Sequence, residues 1–181
     1  NLDVMILANH GLVVGAETAQ KALSLLTLIE ARMKREVRKS IKVDNERLLL
    51  AIRKSNFRMS KHKIVHSIAR DDIALEVVKT GVLYPDHVVF LGPGPMKVLS
   101  IDELEIGIKN SILNNNNVII VRDFGVIVQH DFSDNAESML YCLSSVLLRL
   151  QEGEELKYLS QEDEMELMDW DAEKYRQSIQ R

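Results

Sequence analysis

The sequence predicts an α/β protein in which a mainly antiparallel sheet is covered by helices. Short apolar runs flank turn residues such as Asn and Gly, which is typical of strands joined by tight turns. Longer segments place their apolar residues at helical spacing. A strand–turn–strand–helix pattern also occurs twice along the 181 residues. We therefore expect an internal repeat within the fold.

The N-terminal part of the chain predicts a strand pair followed by a long helix. Residues 4–7 form an apolar run typical of a buried strand, and residues 12–14 form a second strand after the turn Asn9-His10-Gly11. Thr18 is a suitable N-cap for the next helix. Apolar residues at helical spacing predict that this helix extends over residues 18–40.

The middle of the chain predicts three helices and one strand. A short helix is expected over residues 46–56, and Ser60 can cap another helix that runs through Ala69. Asp71 or Asp72 starts a further helix, which ends at Gly81 as a C-cap glycine. The apolar residues 88–91 predict a buried strand, which the rigid Gly-Pro-Gly-Pro loop of residues 92–95 ends.

The C-terminal part predicts a capped helix, a second strand pair and further helices. Ser100 and Glu103 have the spacing of a capping box. Residues 118–121 and 126–128 predict two strands joined by a turn at Asp123-Phe124-Gly125. The helices that follow are expected from Asp134, from Ser160 to about Trp170, and over residues 171–180, with Trp170 and Tyr175 docked on the body of the protein.

The two strand pairs align with each other without gaps. Residues 5–14 align with residues 119–128, and a long helix follows each segment, with a short insertion in the second copy. A glycine occupies the same place in both because each turn needs a residue without a Cβ. The preceding residue is His10 in one copy and Phe124 in the other. An imidazole can ligate a metal or move a proton, whereas a phenyl ring can do neither. If this turn carries chemistry, only the first copy can therefore perform it. Convergence on a common pattern is the alternative explanation of the match.

Composition excludes several classes of function. The net charge of −4 gives no electrostatic basis for binding nucleic acid. No apolar run approaches the roughly 18 residues of a membrane span, and no signal peptide is recognised, so the sequence favours the cytoplasm. Cys142 is the single cysteine and lies in an apolar helical run, which predicts a buried, inert thiol.

The first strand pair and its helix resemble a known segment. Residues 6–15, with the motif Asn9-His10-Gly11, are similar to the strand–NHG–strand–helix segment of class II aldolase/adducin proteins. In that family the histidine is the third ligand of a catalytic zinc ion, and an upstream His-x-His supplies the other two beside a proton-handling glutamate. The resemblance therefore implies that His10 is a metal ligand. The upstream elements do not occur in this chain, and Phe124 replaces the ligand in the second copy.

Two later segments extend the resemblance. Residues 81–88 and 170–176 are similar to parts of the aldolase domain of bifunctional rhamnulose-phosphate-aldolase-type aldolase/dehydrogenases. The resemblance implies a first aldolase-like unit that ends within residues 1–42 and a degenerate second unit over residues 43–181, with a helical tail. Because the chain opens directly on an apolar strand, we expect it to be a piece of a longer protein. Any dehydrogenase domain would lie outside this chain.

The remaining histidines give weaker signals. His62 and His66 are four residues apart on a predicted helix, but the flanking lysines repel a cation, so both are predicted to lie on the surface. His87 follows Asp86 at a predicted strand start, and this carboxylate could orient or charge the imidazole. A functional pair would contact a substrate phosphate or carbonyl; a strand-edge polar pair is the alternative. His130 is predicted to be an exposed loop residue.

The resemblance implies part of a zinc-dependent class II aldolase, a lyase of carbohydrate metabolism that acts on a sugar phosphate or related hydroxy-acid. Two of the three implied ligands and the base are missing, so the isolated chain is expected to be inactive. A non-catalytic adducin-like assembly module is the alternative, because the second copy keeps the pattern without its ligand. We expect a homo-oligomer for two reasons. Aldolases of this family are oligomers, and the unpaired edge of the strand at residues 4–7 can form hydrogen bonds with a strand of another chain. The sequence assigns no catalytic residue.

Overall fold

The computed structural model describes residues 3–169 of the chain. It has mixed α/β architecture and divides into two compact units, Asn1–Val37 and Arg38–Arg181. The predicted α/β class is therefore confirmed. The aldolase-like fold and the internal repeat stay predictions. The helix expected over residues 171–180, with Trp170 and Tyr175, lies outside the described residues.

The first unit consists of a β-hairpin and one helix. Strand β1 (Val4–Leu7) pairs antiparallel with β2 (Gly11–Val14), and helix α1 (Ala19–Met33) follows. The Thr18 side chain accepts a hydrogen bond from the backbone N–H of Lys21, which confirms the predicted cap.

Two details of the first unit differ from the sequence prediction. Helix α1 ends at Met33 rather than near residue 40. Residues 34–39 hold four basic side chains and one acidic one, so continued helix would place like charges on adjacent turns. The strand at residues 4–7 was predicted to be buried, but none of the described residues 3–37 is buried. A two-stranded hairpin with one helix has too little material to enclose a core.

The second unit is built on a four-stranded sheet. Its strands are β3 (Phe57–Met59), β4 (Lys97–Leu99), β5 (Val118–Val121) and β6 (Gly125–Gln129), in the order β3-β6-β5-β4. The β3–β6 and β6–β5 pairs are antiparallel, whereas β4 and β5 are parallel. The sequence predicted the central pair but missed both edge strands, which are only three residues long and include Arg58 or Lys97.

Helices cover both faces of this sheet because alternate residues of its strands point to opposite sides. Val118 and Ile120 contribute to one apolar cluster, while Ile119 and Val121 contribute to the other. The first cluster is completed by α3 (Asp72–Thr80), α6 (Asp134–Leu147) and a 3-10 helix (Val65–Arg70). The second is completed by α2 (Glu46–Ile52) and α5 (Ile101–Lys109). The prediction of a sheet covered by helices is thereby confirmed.

The predicted strand over residues 88–91 is wrong. These residues belong to helix α4 (Pro85–Leu91), which packs against α6. Pro85 occupies the first turn, where its missing N–H costs nothing, and Gly92 ends the helix at a φ of 102°. A run of only four apolar residues is too short to show a periodicity, so the sequence cannot distinguish a buried strand from a buried turn of helix here.

The helix predicted from Ser60 to Ala69 is also wrong. Only the 3-10 helix Val65–Arg70 forms, because the Ser60 hydroxyl donates to the Glu137 carboxylate instead of capping a helix. Other predicted caps are confirmed. Asp71 caps α3, and Ser100 forms a complete capping box with Glu103 on α5. The acidic helix after Ser160 is α7 (Gln161–Asp169).

Substitution of the two turn glycines tests how tightly each hairpin is held. Gly11 has a φ of 129° and Gly125 a φ of 138°, so alanine strains both turns by about 1–2 kcal/mol. A Cβ on Gly125 would also lie 3.0 Å from His66 Nδ1, whereas a Cβ on Gly11 meets no atom within 4 Å. We expect Gly125→Ala to lower the free energy of unfolding by about 1 kcal/mol more than Gly11→Ala, measured in urea. Equal losses would contradict the crowded geometry of the second turn.

Candidate functional site

His10 lies on the exposed turn of the β1–β2 hairpin. Asn9 adopts a φ of 60° and Gly11 a φ of 129°, and the His10 N–H donates to the Leu7 carbonyl oxygen at 3.1 Å. The His10 Nδ1 atom lies 3.3 Å from the Ala8 carbonyl oxygen. When Nδ1 carries the proton, it can donate to this oxygen and leave the Nε2 lone pair for a metal ion.

The turn of the β5–β6 hairpin has the same backbone geometry. Asp123 and Gly125 have φ values of 71° and 138°, and the Phe124 N–H donates to the Val121 carbonyl oxygen at 3.0 Å. The strand registers also correspond, since Leu7 faces Gly11 and Val121 faces Gly125. The environment of the intervening side chain is what differs between the two turns.

Phe124 is half-buried against the apolar cluster of α2 and α5. The Arg47 guanidinium lies over its ring, 5.8 Å from the centroid, which is within cation–π range. His10 instead is exposed. The hairpin position that packs a phenyl ring in one unit therefore presents an imidazole to solvent in the other.

One imidazole does not make a metal site. Over residues 3–169, no group of three or more His, Cys, Asp and Glu side chains could hold a metal ion. Sites of the catalytic zinc type use three protein ligands and keep a position open. The described residues therefore supply no complete ligand set of this kind, and His10 would be one ligand of such a site.

The second sequence candidate, His87, lies on α4 rather than at a strand start. Its side chain is only 1% exposed, and neither ring nitrogen has a hydrogen-bond partner. Asp86 occupies the first turn of α4 and is exposed. Because both imidazole nitrogens lack partners, Asp86 does not orient the ring as the sequence suggested.

Tyr84, which is half-buried, and His87, which is buried, form a pair at the start of α4. Their ring centroids lie 5.8 Å apart, and the Tyr84 hydroxyl also lacks a hydrogen-bond partner. Burial lowers the pKa of His87 to about 4. Burial also raises the pKa of Tyr84, and nearby Cys142 and Asp86 raise it further.

Both rings are therefore neutral at pH 7. A neutral imidazole offers one donor and one acceptor but no positive charge, so the pair suits a hydroxyl or carbonyl group better than a phosphate. Within residues 3–169 its atoms are the only buried side-chain nitrogen or oxygen atoms without a partner. Because His87 is almost fully enclosed, the pair is not open to a ligand in this structure.

His66 belongs to a buried polar network that the sequence did not reveal. It was predicted to lie on the surface, but it is buried, because the 3-10 helix turns it toward the β5–β6 turn. The Val126 N–H donates to His66 Nδ1 at 3.1 Å, so Nε2 must carry the proton that is donated to the Ser60 carbonyl oxygen. Burial lowers the pKa of His66, although the Ser60 bond and the Glu137 carboxylate oppose this shift.

Glu137 is the centre of this network. Its carboxylate accepts hydrogen bonds from the Arg58 guanidinium at 2.5 Å, the Ser60 hydroxyl at 2.7 Å and the Lys61 backbone N–H at 3.3 Å. Burial opposes its ionisation, but these hydrogen bonds outweigh burial and lower its pKa. Since every ring nitrogen and carboxylate oxygen here has a partner, the network holds β3 to α6 and offers no open position to a ligand.

The remaining sequence candidates lie apart from these groups. Cys142 was predicted to be buried but is exposed, because the buried face of α6 runs through Leu140, Leu143 and Leu147. His62 is half-exposed beside the Tyr141 ring. His130 is exposed, as predicted.

No protein-family model, curated protein or solved structure matches this chain. Within the part of the chain that the structure describes, no helix is long and apolar enough to cross a membrane.

The pH dependence of stability tests the burial of His87. Its pKa is about 4 in the folded protein and 6.5 in the unfolded chain, so the unfolded state binds more protons below pH 6.5. Stability is unaffected by this group above pH 6.5 and falls as the pH decreases toward 4, by about 3 kcal/mol in total. We expect His87→Leu to remove this loss, measured by urea unfolding between pH 7 and pH 4.5. His130→Leu, at an exposed site, serves as the control and should change nothing. Because burial also lowers the pKa of His66, a smaller loss remains in His87→Leu. A loss as large as that of the unmodified protein would contradict the assignment to His87.

Truncation of the two turn side chains tests their different environments. His10→Ala should change the free energy of unfolding by less than about 0.5 kcal/mol, as is usual for a surface position. Phe124→Ala should cost about 1–3 kcal/mol, less than the roughly 3–5 kcal/mol of a fully buried phenylalanine, because its ring is half-exposed. Denaturant midpoints measure both values. A large loss for His10→Ala would mean that the imidazole is packed and not available to a ligand.

Proposed function

We propose that this chain is a segment of a class II aldolase-type lyase, in which His10 is one imidazole ligand of a divalent metal ion, expected to be zinc. The observation that supports this most directly is the setting of His10. Its imidazole is exposed on a tight turn, and its Nδ1 atom lies beside a backbone carbonyl oxygen that can fix the tautomer. The proposed substrate is a sugar phosphate or a related hydroxy-acid.

The proposed chemistry divides between this chain and residues outside it. A bound zinc ion would supply Lewis-acid stabilisation of the negative charge that develops when a carbon–carbon bond β to a carbonyl is cleaved. His10 would contribute one neutral nitrogen ligand. The other imidazoles and the carboxylate that moves the proton would come from residues beyond those described, since these hold no group able to bind a metal.

A second candidate function is that of a non-catalytic, adducin-like assembly module. Two observations favour it. The β5–β6 hairpin keeps the same turn with Phe124 in place of a ligand, so this local structure does not require a metal. The first unit also exposes large apolar side chains, among them Ile6, Leu23 and Met33. We propose on this basis that the protein is a homo-oligomer.

We predict that the isolated 181-residue chain does not cleave sugar phosphates in the presence of zinc. A single histidine cannot hold the ion firmly or leave it correctly coordinated. A coupled assay for the aldehyde product, with a panel of ketose phosphates, measures this. Zinc-dependent cleavage by the isolated chain would contradict the account of the site.

Measurements of zinc content and cleavage activity on the longest natural form of the protein distinguish the two candidate functions. For the lyase, His10→Ala should reduce bound zinc and lower cleavage by more than the roughly 10–100-fold that loss of an outer-shell partner of a metal ligand costs. His130→Ala is the matched control at an exposed loop histidine and should leave zinc content and activity unchanged. If the natural form binds no zinc and His10→Ala has no effect on it, the lyase proposal fails and the assembly module is favoured.

A further inference from the structure

We propose that the groove between α7 and the loop of residues 92–95, here called the α7 groove, receives helix α1 of a second copy of this chain. The proposal does not depend on the role of His10. It concerns which two surfaces of the protein meet when it associates.

The α7 groove is held open by a defined contact. The Gly94 N–H donates to the buried Glu164 carboxylate at 2.6 Å, which fixes α7 against the loop. The loop itself is stiffened by its prolines, and Gly92 and Gly94 turn it at φ values of 102° and 75°. The resulting groove has a volume of about 590 Å³ and is lined by Pro93, Met165 and Met168.

The groove combines apolar and acidic residues. Its two methionines are exposed, Met165 by 67% and Met168 by 37%. Helix α7 contains five acidic residues and no basic one, and two of them, Glu164 and Asp169, line the groove. Exposed Glu162 lies one helical turn before Met165, and exposed Glu166 directly follows it. A matching partner must therefore present apolar side chains beside positive charge.

Helix α1 has these two properties. It buries no residue, and its Leu26 and Met33 side chains, which lie seven residues apart on one side of the helix, are 41% and 55% exposed. Basic residues concentrate at its end, since residues 32–42 contain six basic side chains and one acidic one. Arg32 and Lys34 are exposed next to Met33. An amphipathic helix laid in an apolar groove is a common mode of recognition.

Charge complementarity favours a second copy as the partner. Every copy has both the acidic α7 groove and the basic end of α1. A second copy therefore carries the surface that the groove requires, and dimers of identical chains are the commonest oligomers. The opposite charges give the docking its specificity, and the exposed Leu and Met side chains give it buried apolar area.

Sedimentation equilibrium with charge-reversed variants tests this contact. We expect the unmodified chain to form a dimer whose dissociation constant rises with salt. The reversal Arg32→Glu/Lys34→Glu, or the reversal Glu162→Lys/Glu166→Lys, should weaken the dimer roughly tenfold or more. Combining all four substitutions restores opposite charges across the contact and should recover most of the affinity, a result that misfolding of either variant would not produce.

The matched control is Glu76→Lys/Glu152→Lys, which makes the same change in net charge at exposed residues outside α7. It should leave the dissociation constant within about twofold of the original. The proposal is overturned if the chain is monomeric at all concentrations, or if the control weakens the dimer as much as the α7 reversal. Failure of the fourfold variant to recover affinity would also overturn it, since the two surfaces would then not face each other.

Discussion

The buried β5–β6 hairpin is the constraint on which the second unit depends. All residues of β5 are buried, and their side chains belong alternately to two apolar clusters on opposite faces of the sheet. The turn that joins the strands leaves little room for a Cβ on Gly125, because the His66 ring lies against it and accepts the Val126 N–H. The ring donates to the Ser60 carbonyl oxygen directly after β3, and the Ser60 hydroxyl donates in turn to the Glu137 carboxylate on α6. Packing on both faces thus relies on one correctly formed turn.

The β1–β2 hairpin shows what the same local geometry does in a different environment. Its turn repeats the positive φ values and the strand register of the second hairpin, yet no residue described in the first unit is buried. His10 therefore keeps its imidazole available, whereas Phe124 contributes its ring to packing. The difference between a candidate ligand and a structural residue arises from the surroundings of the turn rather than from its backbone.

The sequence predicted the structure correctly where interactions between residues close along the chain determine it. The caps at Thr18, Asp71 and Ser100 and the central strand pair followed from residue type and spacing. Prediction from the sequence was wrong where contacts between residues far apart along the chain determine the structure. The apolar residues 88–91 are helical because Pro85 and Gly92 bound them and α6 packs on them. The burial of His66 depends on partners as distant along the chain as Val126, which no local pattern encodes. The exposure of Cys142 could have been predicted, since it lies off the leucine stripe of α6.

The same hairpin geometry is buried in the second unit but exposed in the first. Native-state hydrogen exchange, resolved by NMR at single amides, tests this difference most directly. The account predicts that the amides of Ile119 and Ile127 exchange only through global unfolding, because they lie at the centre of the buried sheet. The paired amides of β1 and β2 should exchange through local opening, at a much lower free energy. Equal protection in both hairpins would contradict the account, since the first turn would then be as firmly enclosed as the second.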